Sequence, residues 1–367
     1  MRLESLGLTN FRNFSKAEIF LSGNVNIFYG KNAAGKTNLL EAIFTLCLGR
    51  SQRGARDAMM VRECDEDFFR LEGVGYLGEE NSATEIACAY QIGGRKKIMV
   101  DENPVRMSKL YQLFHLISMA PEDVTLFSGS PSVRRRFLDL YLSQASPSYL
   151  IDLSDYNKAL AQKNSFLKNG SGDECPFDPL MVQLGAKIIV ARHRLIHFLQ
   201  ALAPGYYAQI AGQETSDGLP SFTLRYKPNV EYDDFDEIEK RFEQKINANR
   251  QKESILQTAI VGPHRDDIEF RIGGFPAKGY GSMGEQRSAA IAVMMATANF
   301  LESRTHEKPI LLLDEIFAEL DGLRRENLAG LFDRFDQIFL TAAVKPPEPL
   351  MKKAKIFYIS EGVVEEK

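Results

Sequence analysis

The chain has 367 residues, of which 45 are lysine or arginine and 49 are aspartate or glutamate, so its formal net charge is −4. Its four cysteines lack metal-ligand or redox spacing, and no apolar run approaches the ~18 residues of a membrane span. These features predict a cytoplasmic protein of ordinary globular composition without a membrane partner. They also exclude a chain that is basic all over, so any nucleic-acid surface must be a local patch, or one completed in an oligomer.

The N-terminal region predicts several short strands, the last of which leads into a glycine-rich turn. Residues 25–29 form a β-branched and aromatic run, and apolar residues at 39, 40, 43, 44 and 47 have helical spacing. Between them lies Gly30-x4-Gly35-Lys36-Thr37, which is the Walker A pattern in the strand–turn–helix context that it requires. A glycine turn that only begins a helix is the simpler alternative, but strand, spacing, Lys–Thr pair and helix are all present.

This turn predicts a phosphate site for ATP. Backbone N–H groups of a glycine turn point into one concavity, and the following helix N-terminus favours negative charge. Lys36 would supply a positive charge for the β- and γ-phosphates, and the Thr37 hydroxyl would ligate Mg2+. The predicted nucleotide-binding residues of the loop are Gly30, Lys31, Asn32, Ala33, Ala34, Gly35, Lys36 and Thr37.

The central part of the chain changes from strand-like to helical patterns. Strand-like runs occupy residues 68–76, 84–92 and 96–100, and the pattern is helical from about 132 to 210. A loop rich in Gly, Ser, Asp and Pro divides the helical region at 169–179, and another charged helix is predicted at 236–251. These segments lack sustained heptads, so a long coiled coil is not predicted.

A second candidate anion site begins a long Ala- and Met-rich helical stretch that ends near Arg304. Its segment Ser282-x-Gly284-Glu285-Gln286 resembles the signature motif of ABC-type ATPases. In that motif a serine hydroxyl, a close-approaching glycine and a helix N-terminus cap the γ-phosphate bound to a second subunit. An ordinary Ser-Gly helix cap is an equal alternative for the segment taken alone. We predict that Ser282, Gly284, Glu285 and Gln286 contact the ATP of a partner chain.

The segment I-L-L-L-D-E at 310–315 predicts the second half of the nucleotide site. Asp314 fits the Walker B carboxylate that holds Mg2+ through water, and Glu315 is the predicted catalytic residue that polarises the attacking water. A core strand ending in two ordinary acids is the alternative, which the Walker A segment makes less favourable. Residues 318–321 resemble a D-loop on the dimer seam, which adds Asp321 to the predicted site. Thr341 stands where transporter ATPases usually place a switch histidine.

The spacing of these motifs predicts an insertion. Thr37 and Asp314 are 277 residues apart, far more than neighbouring strands of one nucleotide-binding fold need. We therefore predict an α/β ATPase head that is split by a helical domain. Residues 1–115 would form its N-terminal half with a β-rich lobe and the P-loop, residues 116–250 the inserted helical domain, and residues 251–367 the C-terminal half with signature, Walker B and D-loop.

Along almost its whole length the sequence resembles the RecF family, the SMC-like ABC ATPases of bacterial recombinational repair. Walker A alone identifies only a very large superfamily, whereas R-R-R-F-L-D and G-P-H-R-D-D are far more specific. The supporting stretches are N-F-R-N-F (10–14), G-K-N-A-A-G-K-T-N-L-L-E-A-I (30–43), L-G-R-S-Q-R (48–53), P-E-D-V (121–124), G-S-P-S-V-R-R-R-F-L-D (129–139), V-G-P-H-R-D-D (261–267) and G-S-M-G-E-Q-R-S (281–288).

The resemblance implies an ABC/SMC-like P-loop ATPase head with an inserted helical second domain. It implies that ATP and Mg2+ are bound, that ATP drives a head-to-head homodimer, and that slow, DNA-stimulated hydrolysis resets it. It also implies binding to gapped, single- and double-stranded DNA. The implied partners are RecR and, through it, RecO and RecA, with roles in loading RecA, in replication-fork maintenance and in the SOS response.

Local basic clusters are the candidates for DNA contact. Each cluster could simply be a solvated face, and the cluster Arg134–Arg136 could instead brace the junction between head and insertion. The segment His264–Asp267 includes a loop histidine to which no chemistry is assigned. Arg12 lies in a region that approaches the nucleotide in related heads. The clusters are Arg50, Arg53 and Arg56; Arg95, Lys96 and Lys97; Arg134, Arg135 and Arg136; and Arg192 with Arg194.

Two other functions are compatible with a P-loop. An ATPase subunit that energises a transporter is the first, but the helical insertion after a strand-rich lobe and the missing switch histidine weigh against it. A metabolic P-loop kinase is the second, and it would have no use for a signature motif. A gel shift with gapped DNA, with and without ATP, separates DNA binding from both, and turnover that needs a phosphoryl acceptor would favour the kinase.

Overall fold

A computed structural model describes residues 1–63, 66–78, 82–170, 174–211, 221–317, 322–343, 346 and 348–367. The chain divides into two compact units. The first comprises Met1–Asp123, Gln209–Glu214 and Thr297–Lys367, and the second comprises Val124–Ala208 and Thr215–Ala296. Residues 251–296 thus group with the second unit, whereas the sequence-based prediction assigned them to the C-terminal half of the head. The functional domain boundaries at 115/116 and 250/251 stay a prediction.

The regular elements follow the chain in this order. The strands are β1 (Arg2–Leu3), β2 (Ser5–Phe11), β3 (Phe14–Phe20), β4 (Val25–Tyr29), β5 (Phe68–Leu77), β6 (Ser82–Gln91), β7 (Lys97–Val100), β8 (Asn103–Pro104), β9 (Leu116–Met119), β10 (Phe222–Lys227), β11 (Asp267–Ile272), β12 (Phe275–Pro276), β13 (Ile310–Leu313), β14 (Ile338–Ala342), β15 (Ala354–Ser360) and β16 (Val363–Glu366). The α-helices are α1 (Lys36–Leu48), α2 (Met107–Leu113), α3 (Thr125–Ser128), α4 (Pro131–Ala145), α5 (Pro147–Lys168), α6 (Asp178–Ala211), α7 (Ile238–Leu256), α8 (Ala277–Tyr280), α9 (Met283–Thr305), α10 (Gly322–Phe332) and α11 (Glu348–Met351).

The first unit contains an antiparallel sheet in the order β3-β2-β5-β6-β7-β8, with β1 paired to β5. Residues alternate along its strands between a buried and an open face, as expected where only one face packs on a core. Leu6, Leu8, Phe69 and Leu71 are on the buried face. We call this sheet the lobe sheet.

A second sheet of the same unit has the order β16-β15-β4-β14-β13-β9, and we call it the core sheet. Every neighbouring pair is parallel except β15–β16. The strands β9, β13 and β14 are buried along their whole length, as expected of a parallel sheet covered on both faces. Because β4, β14 and β13 run in the same direction, the segments that follow them meet at one edge of the sheet.

Helix α1 fixes the position of the glycine turn within this unit. It packs against β14 of the core sheet and against β2, β5 and β6 of the lobe sheet. Most of its 13 residues are buried, including Leu39, Leu40, Ile43 and Phe44. Burying one such side chain contributes roughly 1.5–3 kcal/mol, so the helix that begins the phosphate loop is held firmly on two sides.

The second unit is mainly helical and also contains the antiparallel sheet β10-β11-β12. Phe127, Phe222 and Phe270 pack their rings together within it. The helix predicted at 236–251 is α7, whereas the small sheet is absent from the sequence-based predictions. In the part of the chain that the structure describes, every helix is too short or too polar to cross a bilayer.

Candidate nucleotide-binding site

The turn between β4 and α1 has the geometry of a phosphate-binding loop. Gly35 has φ 112°, a backbone conformation that side chains rarely allow. At Gly30 an added Cβ would lie 2.4 Å from the Ile359 carbonyl oxygen of β15, so only glycine fits the close approach. The Asn13 side-chain amide donates to the Ala34 carbonyl at 3.0 Å and so ties the turn to the loop between β2 and β3.

Lys36 is held at the mouth of this loop by oxygen atoms. Its Nζ donates to the carbonyl oxygens of Gly30 at 2.8 Å and Lys31 at 3.1 Å, and it lies 3.0 Å from Glu315 Oε1. The structure thus joins the predicted Walker A lysine with the predicted catalytic carboxylate in one ion pair. An anionic phosphate in the loop would compete with Glu315 for the same ammonium group.

The structure brings together Thr37 and Asp314, the two predicted Mg2+ ligands. The Thr37 hydroxyl donates to Asp314 Oδ1 at 3.1 Å across the edge of the core sheet. Burial raises the pKa of Asp314, and the hydrogen bonds from Thr341 and Thr37 oppose that rise. A hydroxyl and a carboxylate are hard oxygen donors of the kind that Mg2+ prefers. Among the described residues no cluster of three or more His, Cys, Asp or Glu could hold a metal.

Thr341 links the two acids that follow β13. It lies near the end of β14, the strand between β4 and β13, and it is buried. Its hydroxyl donates to Asp314 Oδ1 at 2.6 Å and accepts the Glu315 backbone N–H at 2.9 Å. Glu315 has φ 45°, an unusual backbone conformation for a residue with a side chain. Thr341 therefore positions both acids.

Replacing Thr341 by valine keeps the side-chain shape but removes this hydroxyl. Asp314 loses a donor that lowers its pKa, so its pKa should rise further and the acid limb of the pH profile of ATP hydrolysis should move to higher pH. The Mg2+ concentration for half-maximal hydrolysis should also increase, because the protonated acid holds the ion poorly. The unpaired groups should cost about 1–3 kcal/mol of folding stability. Thr341→Ser is the control that keeps the hydroxyl, and identical pH profiles for both variants would rule out the positioning role.

A buried carboxylate on α1, the helix that follows the phosphate loop, is a feature that sequence reasoning missed. The Glu41 carboxylate accepts hydrogen bonds from Arg12 Nε at 2.9 Å and from Arg12 Nη2 at 3.0 Å. It also accepts hydrogen bonds from Arg53 Nη2 at 2.7 Å and from the Ser51 hydroxyl. Burial alone would raise the pKa of Glu41, but these partners together hold it below its usual value. The signal in the sequence was an acid at a helix position otherwise surrounded by apolar residues.

The predicted signature segment lies in the second unit and begins α9. The Ser282 N–H and hydroxyl donate to Glu285 Oε2 at 2.9 and 2.7 Å, and the Glu285 N–H donates back to the Ser282 hydroxyl at 3.3 Å. This is a capping box. Gln286 is buried and donates to the Gly281 carbonyl at 2.7 Å, and Gly284 accepts a bond from Ser288. Asp321 lies outside the described residues.

Two of the predicted basic clusters are partly enclosed within the second unit. Arg192 is 2% exposed and pairs with Asp266 and Asp139 at 3.0 and 2.8 Å. Arg134 forms a two-point ion pair with Asp267. These arginines and acids join the R-R-R-F-L-D and G-P-H-R-D-D segments, so both arginines brace the inside of this unit and are not available to DNA.

His264 has a structural environment. Its Nε2 donates to the Ala259 carbonyl at 3.1 Å, so its Nδ1 accepts the Tyr156 hydroxyl at 2.7 Å in the neutral ring. Burial lowers the pKa of His264 to about 4. At physiological pH both ring nitrogens of the neutral imidazole therefore have a hydrogen-bond partner. These contacts explain His264 as a structural residue, without a catalytic role.

Comparison with known proteins agrees with this geometry. The family model described as RecF/RecN/SMC N terminal domain matches residues 2–360. A protein of Bacillus cereus (strain B4264) named DNA replication and repair protein RecF is 34% identical over 377 residues, which cover 100% of this chain and 98% of that protein. A protein of the same name from Bacillus thuringiensis (strain Al Hakam) is 33% identical with the same coverage.

Solved structures of RecF and of an SMC head are also similar to this chain. A RecF–ATP structure, described as the recombination mediator protein in the RecFOR pathway, matches with a TM-score of 0.89 and 29% identity over 100% of this chain and 97% of that chain. An Smc head bound to the C-winged helix domain of ScpA matches at 16% identity with a TM-score of 0.58, over 100% and 97% of the two chains, which shows a shared fold alone. The predicted α/β fold of an ABC/SMC-like ATPase head is confirmed. The chain therefore belongs to the RecF family.

Proposed function

We propose that this protein is an ATP-controlled DNA-binding protein of recombinational repair and replication-fork maintenance. ATP binding would drive formation of a homodimer that binds gapped, single- and double-stranded DNA, and slow hydrolysis would reset it. The observation that carries the proposal is the meeting of Lys36 with Glu315 and of Thr37 with Asp314 in one unit. Relatives named as DNA replication and repair proteins, and one solved with ATP, support the assignment.

The ion pair between Lys36 and Glu315 supports a switch at the first step. A bound γ-phosphate would take the Lys36 ammonium, and Glu315 would then be released to accept a hydrogen bond from the attacking water. Thr37 and Asp314 would hold Mg2+, which would offset the negative charge of the phosphates. The backbone N–H groups of residues 30–35 would bind the remaining phosphate oxygens.

Exposed apolar side chains around the signature segment support the dimer. Phe275, Tyr280 and Met283 are 60%, 72% and 54% exposed, and the first two stack with ring centroids 5.7 Å apart. Such a group beside an exposed Ser282 is typical of a surface that becomes covered by a partner. The partner proposed is a second copy of this chain, whose ATP would lie against Ser282 and Gly284, with Asp321 at the seam.

The proposed partner proteins of this chain are inferred from its membership of the RecF family. The solved relative is described as a recombination mediator in the RecFOR pathway. We propose that this chain likewise acts with RecR, and through it with RecO, to help load RecA on gapped DNA.

The test is sedimentation with ATP, ADP or no nucleotide, each with and without gapped DNA. The parent should dimerise with ATP alone and bind gapped DNA most tightly in that state. Ser282→Arg places a bulky charge in the dimer surface, so it should bind ATP as a monomer, form no dimer and return DNA binding to the nucleotide-free level.

Two control variants make this result specific. Ser303→Arg carries the same change on the exposed last turn of the same helix and should dimerise like the parent. Ser282→Ala removes the capping hydroxyl without adding bulk, and it shows how much of the effect is lost helix stability. If Ser282→Arg dimerises with ATP, the signature assignment is wrong. If the parent itself shows no response of DNA binding to ATP, the proposed function is wrong.

A further inference from the structure

We propose that Arg50, Arg53, Arg56, Arg95 and Lys97 form one basic face of the first unit that binds the phosphodiester backbone of DNA. The inference rests on the proposed DNA-binding function and assigns it a surface. In the sequence these residues belong to two clusters about 40 positions apart. The structure joins them.

Lys96 is the side chain that joins the two clusters. It lies in the turn between β6 and β7, and its Nζ donates to the Gly49 carbonyl at 2.7 Å and pairs with Asp57 at 2.5 Å. Gly49 directly precedes Arg50, and Asp57 directly follows Arg56. Arg95 and Lys97 flank Lys96 itself. The five cations are therefore carried by two segments that one lysine side chain holds together.

Most of these cations are available to a ligand. Arg56, Arg95 and Lys97 are exposed, and Arg50 is half-buried. Among the described residues none of these four side chains forms an ion pair, and Asp57, which follows Arg56 in the sequence, is already paired with Lys96. Unpaired cations on a chain of net charge −4 are a local concentration of positive potential, which suits a polyanion.

Other surfaces of the chain suit a polyanion less well. The open face of the lobe sheet forms a groove of about 540 Å3 in which Lys16 and Arg70 are outnumbered by four acids, Glu18, Glu72, Glu85 and Glu102. In the second unit, Arg134 and Arg192 are committed to buried ion pairs. Electrostatics therefore favours the Arg50–Lys97 segments over this groove and over Arg134 and Arg192.

The fifth cation connects this face with the phosphate loop. Arg53 donates to Asn38 Oδ1 at 2.6 Å and to Glu41, both on the first turns of α1. The Asn38 amide donates to Asn13 Oδ1 at 2.8 Å, and the Asn13 amide donates to the Ala34 carbonyl. A phosphate that drew Arg53 away from Asn38 would disturb a hydrogen-bonded chain that ends on the loop. The basic face and the phosphate loop are thus joined by a continuous series of hydrogen bonds.

The experiment measures DNA affinity against salt concentration with ATP present. The variant is Arg56→Ala/Arg95→Ala/Lys97→Ala, and the matched control is Lys16→Ala/Arg70→Ala/Lys352→Ala, which removes the same three charges from other surfaces. Each phosphate contact contributes about 0.9 to the slope of log affinity against log salt. The variant should therefore have a slope shallower by roughly 2–3 per head and bind at least about 10-fold more weakly at 0.1 M salt. The control should keep the parent slope.

The outcomes separate this inference from the function on which it rests. If the parent binds gapped DNA with ATP and the two triple variants share its slope, the basic face is wrong and the function stands. If both triple variants lose slope equally, net charge rather than this surface governs binding, and the inference is again overturned. If the parent does not bind DNA, the proposed function fails first. The ATP-induced rise in melting temperature, measured for both variants, verifies that each is folded.

Discussion

Glu315→Gln is expected to lower the rate of ATP hydrolysis by at least about 100-fold, the scale of a lost general base, while ATP still binds. The amide has the size of the carboxylate, but it cannot take a proton or polarise water strongly. The backbone at Glu315 is held by the Thr341 hydroxyl, so the substitution should leave the loop conformation in place. Since hydrolysis ends the ATP-bound state, the variant should accumulate as an ATP-bound dimer.

The same variant tests the exchange of Lys36 partners. Glutamine cannot form the ion pair at 3.0 Å, so Lys36 is freed for phosphate before ATP arrives. ATP affinity should therefore be equal to or higher than that of the parent. Single-turnover kinetics measure the loss of hydrolysis, and equilibrium binding measures the change in ATP affinity. The control is Glu348→Gln, which changes an exposed acid outside the site. Parental turnover would transfer the catalytic role to Asp314 or to a residue elsewhere.

The residues proposed for the nucleotide site could be selected from the sequence because they lie close to the ends of two predicted strands. The spacing alone specifies the phosphate loop, because a buried strand is followed by a turn with Gly30 and Gly35 and then by a helix. The Walker B segment is specified by two acids that follow an aliphatic strand. The parallel core sheet then brings Thr37 and Asp314 together although 277 residues separate them. The long separation itself indicated an insertion.

The contacts between elements were not predictable from spacing. The role of Thr341 depends on β14 lying between β4 and β13, and nothing in its neighbours along the chain gives that order. Arg192 and Arg194 are alike in the sequence, but the fold buries only the first. Likewise, the contacts of Lys96 with Gly49 and Asp57 depend on a turn of the lobe sheet reaching the segment that follows α1. A charge pattern gives candidates, and packing decides which of them faces water.

Lys36→Met is expected to abolish the ATP-dependent behaviour of the protein with little effect on its nucleotide-free stability. Charge-assisted hydrogen bonds contribute about 1.5–3 kcal/mol, so losing the ammonium should weaken ATP binding by roughly 10- to 100-fold. Methionine fills the buried stem position, where Lys36 is 4% exposed, and the former ion-pair partner Glu315 still reaches water at 29% side-chain exposure. No isolated charge is therefore left buried, and the melting temperature without ATP should change little.

Lys31→Met is the matched control, because it removes an exposed lysine from the same loop and leaves every backbone N–H in place. Its ATP affinity should fall much less than that of Lys36→Met, since the Lys31 side chain makes none of the described contacts to the loop or to Glu315. The measurements are the ATP-induced rise in melting temperature and the rate of hydrolysis. Equal losses in the two variants would mean that the general charge of the loop binds the phosphates. Full hydrolysis by Lys36→Met would overturn the site, because the ammonium that the structure places between two loop carbonyls and Glu315 would then have no part in the reaction.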